Sequence, residues 1–255
     1  MTGGICVGKI ETVAEMIAAA KKIIVFTGAG MSTESGIQDF RSPGGLWHQW
    51  DPDELTYDKF MASRASREHY WGFSRAIWPT MAKAKPNPGH YAIADLYQMG
   101  KLDSVITQNV DGLHQAAGSH NVIEFHGTHR TLSCLKCSTT IDGTALKMED
   151  LPPRCARCSS LLKPDVVFFG EPIPWEAQLT SFKESKSCSM VLVIGTSAVV
   201  YPAASIPITA KERGATVIEI NMERTPLTDQ ISDYLIPGSA GEIIPAILGE
   251  VKRLR

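Results

Sequence analysis

Four of the six cysteines fall into two pairs, Cys134-x2-Cys137 and Cys155-x2-Cys158, with seventeen residues between them. Thiolates in this pattern are the ligand set of a zinc ribbon. Four sulfurs fill the tetrahedral shell of Zn2+ and leave no position for a reacting water. The spacing therefore predicts a structural zinc on Cys134, Cys137, Cys155 and Cys158 rather than a catalytic one. Cys6 and Cys188 have no partner by spacing, and Cys188, beside an apolar run, reads as core. A second chemical signature is Gly28-Ala29-Gly30, placed directly after the apolar run Ile23-Ile24-Val25-Phe26. Glycines let a backbone come close to a pyrophosphate, and the amides that open a following helix supply donors and a positive dipole end. The dinucleotide fingerprint asks for glycine or alanine at position 33, where this chain has Thr33. The turn is thus compatible with a dinucleotide site and with an ordinary strand-to-helix connection.

Three further polar clusters follow short apolar runs. Gln108-Asn109-Val110-Asp111-Gly112-Leu113-His114 follows Ser104 to Thr107, His126-Gly127 follows Val122 to Phe125, and Gly195-Thr196-Ser197 follows Met190 to Ile194. Such runs are too short for helices and suit parallel strands buried on both faces. Polar groups at the carboxyl ends of parallel strands face a ligand crevice. A helix over 9–21 places Ile10, Val13, Ile17 and Ala20 on one face, and further helices are expected after Pro88, over 203–213 and from Gly241. This alternation predicts an α/β fold with a doubly wound, parallel, Rossmann-like sheet. Residues 1–41, 89–127 and 166–255 would form the large dinucleotide-binding domain. A loop and helical insertion would occupy 42–88, where Trp47, Trp50, Tyr57, Phe60, Tyr70, Trp71, Phe73 and Trp78 crowd together, and a zinc-ribbon module would occupy 128–165.

Composition narrows the function classes. The 255 residues carry 25 Lys and Arg against 27 Asp and Glu, a formal charge of -2, so no global field favours nucleic acid or an anionic membrane. No apolar run approaches the length of a membrane span and the N-terminus has no signal-peptide core. A cytoplasmic protein is expected. Reduced, metal-bound cysteines fit that compartment better than disulfides.

The segment from Gly28 to Arg41, the run Thr107 to His114, Phe125-His126-Gly127, the cysteine pairs and Gly195 to Ser197 occur in that order. Together they resemble the sirtuin family of NAD-dependent protein deacylases, and the likeness runs from about Ile10 to Leu248. The resemblance implies an enzyme that breaks the nicotinamide bond of NAD and passes the acyl group of a lysine to ADP-ribose. It places Gly28, Ala29 and Thr33 along the pyrophosphate and ribose, and Phe40 and Arg41 on a mobile cofactor loop. It puts Val110 and Asp111 at the nicotinamide carboxamide, and Gln108 and Asn109 at the nicotinamide ribose. It assigns Gly195, Thr196 and Ser197 to phosphate, Asn221 to the adenine ribose and Ala240 to the adenine. His126 becomes the general base, with Asn109 as the second catalytic residue. Taken singly, Asp111 would equally cap a helix and Asn221 would equally end a strand.

The resemblance also implies that an acyl-lysine protein or peptide adds as an extra strand between two segments. Val167, Phe168, Phe169, Gly170 and Glu171 would line one side and Val199 the other. For Val167, Phe168 and Phe169 the competing expectation is plain core. Relatives that prefer succinyl or malonyl lysine carry a Tyr-x-x-Arg pair, where this chain has Ser74 and Ile77, so neutral acyl groups are expected. Gln38 stands where many relatives have proline. Two other functions are compatible with parts of this pattern: a mono-ADP-ribosyltransferase or NAD hydrolase on the same fold, and a non-enzymatic zinc ribbon binding protein or nucleic acid. The few cations of the ribbon, without interleaved aromatics, argue against nucleic acid as a partner.

Overall fold

Short β-branched runs that are apolar on both faces can only be satisfied in a sheet covered by helices on each side. The computed structural model, which describes residues 3–146 and 151–255, and side chains from Gly8 onward, has that architecture. Cys6 lies outside the described side chains. In chain order, α1 (Gly3–Ala19) leads to β1 (Ile23–Thr27), and an irregular stretch to α2 (Tyr57–Ala62), α3 (Arg64–Lys83) and α4 (Pro88–Gln98). Then come β2 (Ser104–Thr107), α5 (Leu113–Ala116) and β3 (Val122–Glu124), followed by β4 (Gly127–Cys134), β5 (Thr140–Asp142) and β6 (Leu162–Val166). The chain closes through α6 (Trp175–Ser187), β7 (Met190–Ile194), α7 (Ser205–Glu212), β8 (Thr216–Asn221), α8 (Pro226–Gln230), β9 (Tyr234–Pro237) and α9 (Ala240–Arg253).

Six strands form one sheet in the order β3-β2-β1-β7-β8-β9, every pairing parallel. One core lies under α1, α4 and α9 and includes Val13, Ile17, Val25, Ile93, Leu192 and Ile244. A second, built on Ile24, Phe26, Val191, Val193, Ile206 and Ala210, covers the opposite face. The expected strand periods hold because β1 and β7 are buried at every position. The first helix starts earlier than its apolar stripe suggests, at Gly3.

The remaining strands form a small antiparallel sheet, β5-β4-β6. Val166 belongs to this sheet, paired with Gly127, and Val167 to Phe169 leave it. A third apolar cluster joins Leu46, Phe60, Tyr70, Trp71 and Phe73 of the helical insertion to Leu132, Cys134, Cys155, Leu162 and Phe168. The two insertions, distant in sequence, therefore share one core.

Candidate active site and zinc centre

The order of the large sheet reverses between β1 and β7, and in such sheets the crevice lies outside the carboxyl ends of the strands at that point. The loops that follow the two strands touch backbone to backbone. Gly28 N–H donates to the carbonyl of Ile194 at 3.1 Å and Gly30 N–H to that of Gly195 at 2.8 Å. A Cβ on Gly30 would stand 2.9 Å from the Cα of Gly195, and one on Gly195, whose φ is +58°, would stand 2.4 Å from the Met31 nitrogen. Gly30 is thus explained by loop packing as well as by approach to a phosphate.

Side chains from several strand ends are then cross-linked over this contact. Gln108 Nε2 reaches across β1 to donate to Thr196 Oγ1 at 2.9 Å. Asn109 Nδ2 donates to the Gly28 carbonyl at 3.0 Å and to Ser32 Oγ at 3.1 Å. Ser32 Oγ donates in turn to Asp111 Oδ2 at 2.7 Å, while Asp111 Oδ1 accepts the Leu113 amide at 2.9 Å. Asp111 therefore holds the first amide of α5, whose N-cap is Gly112, and also faces the glycine turn through Ser32. Asn221, the last residue of β8, donates to the Thr196 carbonyl at 3.1 Å. Gln108, Asn109, Asp111, Thr196 and Asn221 are brought to one edge, with Gly28 and Gly195 beneath them.

His126 sits where the two sheets meet, between the end of β3 and the start of β4. Its Nδ1 lies 3.2 Å from the carbonyl oxygen of Gln108. A carbonyl only accepts, so Nδ1 carries the proton and Nε2 presents its lone pair. Burial pushes the pKa of His126 below the usual histidine value, opposed by the Gln108 carbonyl. The imidazole is therefore neutral near pH 7, the state a general base needs. Gly127 next to it adopts φ +73°, and a Cβ there would lie 1.9 Å from the Asp165 oxygen.

Two more histidines, without an assigned role in the sequence, lie behind the site. His90 and His114 are fully buried, with ring centroids 4.8 Å apart. His90 Nδ1 accepts the Asn87 amide at 3.3 Å, completing a capping box on α4, and His114 Nε2 lies 3.1 Å from Thr27 Oγ1. Burial lowers His90 to about 4, only partly offset by Asp111, and holds His114 well below the usual range. Ser32 and Glu34 are also positions that spacing alone gave no reason to single out. Glu34 accepts the Gly241 amide at 2.6 Å and Ser239 Oγ at 3.0 Å, tying the glycine turn to the start of α9 beside Ala240. In the sequence, Asn87 and His90 read as a helix start and His114 as the last residue of the polar cluster from Gln108.

Other expected contacts are spread around this edge. Ala29 is half-buried, while Thr33, Arg41 and Ser197 are exposed. Thr33 Oγ1 is turned onto the Gly30 carbonyl. The Arg41 guanidinium has no hydrogen-bond partner among the described residues. Phe40 packs on Trp47 at 4.8 Å, and Trp47 in turn lies 6.0 Å from Phe169. The carbonyl of Val110 accepts from the His129 ring and from its amide. Phe168 is buried against Tyr70 at 4.5 Å, as the core expectation has it, whereas Val167 is half-buried and Phe169 and Val199 are exposed. Gly170 turns at φ +79° between exposed Phe169 and half-buried Glu171.

The four paired cysteines converge, with all four sulfurs within 4.8 Å of one another. Individual Sγ separations of 3.4, 3.5 and 3.7 Å match the roughly 3.8 Å edge of a tetrahedron with Zn–S bonds of about 2.3 Å. They are far longer than a disulfide bond of about 2.05 Å. The donor set is all sulfur and fits structural zinc.

A sequence model of the Sir2 family matches residues 28–202, more than half of the chain. The chain is similar to NAD-dependent protein deacylase 2 of Pyrobaculum aerophilum, with 46% identity over 94% of this chain and 95% of that protein. It is similar to a Sir2 homologue solved in complex with NAD, with 41% identity, a TM-score of 0.86, and coverage of 96% of this chain and 94% of the other. It is likewise similar to Sir2Af2 solved with a myristoylated histone peptide, with 40% identity, a TM-score of 0.79, and coverage of 97% and 98%.

Proposed function

The chain belongs to the Sir2 family, and from that premise we propose how its own residues carry out NAD-dependent protein lysine deacylation. The enzyme uses NAD as co-substrate, releases nicotinamide and passes the acyl group of a lysine to ADP-ribose. NAD supplies an electrophilic ribose carbon when its nicotinamide bond breaks.

The observation that carries the residue-level proposal is the position of His126 at the junction of the two sheets, with Nδ1 tied to Gln108. Once the acyl oxygen has bonded to the carbon that nicotinamide leaves, its Nε2 would take the proton of a ribose hydroxyl, which then bonds to the acyl carbon as the lysine amine departs and one water adds. Asn109 and Asp111, fixed through Gly28 and Ser32, hold the nicotinamide end together with the backbone at Val110. Gln108 and Asn109 meet its ribose. Gly28, Ala29, Thr33 and the guanidinium of Arg41 lie along the pyrophosphate, with Gly195, Thr196 and Ser197 opposite. Asn221 and Ala240 take the adenosine end. Phe40, with Trp47 behind it, shields the reacting carbon from water.

The acyl-lysine peptide lies between the edge from Val167 to Glu171 and that at Val199, adding to the protein by main-chain hydrogen bonds. Val167 and Phe169 wall its channel, and Phe168 supports them from the core. Ser74 is buried and Ile77 packs on the shared aromatic core, so these two positions themselves offer no cation to an acidic acyl tail. Residues 1–41, 89–127 and 166–255 act as the NAD-binding unit, with 42–88 and 128–165 packed together over it. The decisive experiment follows nicotinamide release and O-acyl-ADP-ribose formation with acetyl-lysine peptide. One nicotinamide per peptide deacylated supports the proposal. Nicotinamide release without peptide turnover would favour NAD hydrolysis instead.

A further inference from the structure

Lys163 is a charged side chain that the steps above do not use, and it is buried, with 6% of its surface exposed. It projects from β6 into the junction between the small sheet and the loop after it. Its Nζ donates to the carbonyls of Pro164 at 2.9 Å and Val166 at 2.8 Å, and lies 2.9 Å from Glu171 Oε2. Three donors thus meet three acceptors, which is the full capacity of an ammonium. The same ammonium stands 4.4 Å from the ring centroid of Phe168, which also meets the stacked ring of Tyr70 and the edge of Phe60. Glu171 Oε2 also accepts the Phe168 amide at 2.9 Å, and the Glu171 amide returns to the Phe168 carbonyl at 3.0 Å.

One charged group therefore fixes the whole course of the chain from Val166 to Glu171. That stretch is hydrogen-bonded on both sides. The Val167 amide donates to the carbonyl of His126 at 2.9 Å, and the Phe169 carbonyl accepts the Tyr57 amide at 2.9 Å. A buried ion pair contributes little net stability compared with apolar residues of similar volume, but its directed bonds define geometry. Burial lowers the Lys163 pKa while Glu171 raises it, and the pairing at 2.9 Å keeps the charge in place.

We propose that Lys163 is a positioning residue for the peptide cleft: through Val166, Phe168 and Glu171 it sets the backbone edge that receives the acyl-lysine segment and holds that edge in register with His126. This rests on the peptide site proposed above. The cation itself touches no reacting atom.

The test compares wild type with Lys163→Met, Lys163→Arg and the double variant Lys163→Met/Glu171→Leu, which leaves no unpaired buried charge. For Lys163→Met we expect the KM for an acetyl-lysine peptide to rise at least tenfold. The KM for NAD should stay within twofold and zinc at one per chain. Lys163→Arg, which keeps charge and donors, should recover most of the peptide affinity. The double variant covers the case in which Lys163→Met does not fold, and it should show the same rise in peptide KM. Wild-type peptide KM in either folded Met variant overturns the proposal. A parallel fall in NAD affinity, kcat and zinc content also overturns it, since that would mark a merely structural role. Hydrogen exchange separates this proposal from the functional one, because it needs no turnover. The Val167 and Phe168 amides should exchange at least tenfold faster in the Met variants, and unchanged protection there refutes positioning whatever the activity of the wild type.

Discussion

Gln108 holds His126 through its main chain and Thr196 through its side chain: the carbonyl oxygen lies 3.2 Å from His126 Nδ1, and Nε2 lies 2.9 Å from Thr196 Oγ1. The base and the loop after β7 are thereby referenced to a single residue at the end of β2. Replacing the imidazole removes the proton acceptor and leaves the scaffold intact. His126→Ala should lose deacylation by about 10²- to 10⁴-fold, the usual contribution of general base catalysis, while keeping its zinc and its unfolding temperature. Peptide turnover by mass spectrometry, with circular dichroism as the fold control, checks this.

The depressed histidines set the pH behaviour. His126 is neutral in the working enzyme because burial favours the uncharged ring, so kcat/KM should fall only on an acid limb lying below the ordinary histidine value of about 6.5. That limb should disappear in His126→Ala. His90, held near 4 by burial, gives a separate stability effect. Its folded pKa lies below the unfolded one, so the unfolded chain binds the extra proton between these two values. Stability is full above pH about 6.5 and declines as pH falls towards 4, by up to about 1.4 kcal/mol per pH unit for one such group. Urea midpoints measured across that range should show the decline, and His90→Asn should lessen it, with His114, held low by burial in the same way, keeping the remainder.

Zinc removal should damage more than the ribbon. Cys134 and Cys155 are part of the same apolar cluster as Phe60, Tyr70 and Trp71 of the helical insertion. Chelation, or Cys134→Ser, should therefore lower the unfolding temperature and expose tryptophan, and with it abolish peptide turnover. A chelated protein with unaltered tryptophan emission would contradict the shared core.

Gly127 should tolerate no side chain. It has a positive φ and a virtual Cβ 1.9 Å from a backbone oxygen, so relief needs β4 and β6 to part beside His126. Gly127→Ala should cost more than about 4 kcal/mol, the exceptional end of the range for point changes. Chemical denaturation of the soluble fraction gives the value.

Acyl preference offers a further check. With Ser74 and Ile77, packed against an aromatic core, at the positions of the Tyr-x-x-Arg pair, acetyl-lysine peptide should be turned over at least tenfold more efficiently than succinyl-lysine peptide. Competition between the two peptides in one reaction measures this directly.

The parts of the molecule visible in the sequence are those governed by local pattern. β1, β2 and β7 announce themselves as apolar runs, and the four cysteines as a spacing, because a strand's burial and a tetrahedral thiolate site are both encoded over a few residues. What escaped is non-local. Val166 heads the stretch assigned with Val167 and Phe168 to the large domain, but it ends β6 instead, because its partner is Gly127 in the small sheet. Phe168 and Phe169 are neighbours of equal hydrophobicity, yet one is buried on Tyr70 and the other is exposed. His90 is masked in the sequence by its capping role, and its contact with His114 depends on two helices meeting. Glu34 gave no signal at all, since its partner Gly241 lies more than 200 residues away.

The joint core of the helical insertion and the zinc ribbon has a mechanical consequence. Because the small lobe is assembled from two excursions out of the large sheet, around 42–88 and 128–165, the chain passes between the lobes four times rather than twice. A lobe on one pair of linkers can swing and twist freely. A lobe on four is more restrained, and His126 stands beside two of the crossings, next to the one at Gly127 and bonded to the one at Val167. Any change of angle between the lobes would then displace the base less than the residues far from those two crossings.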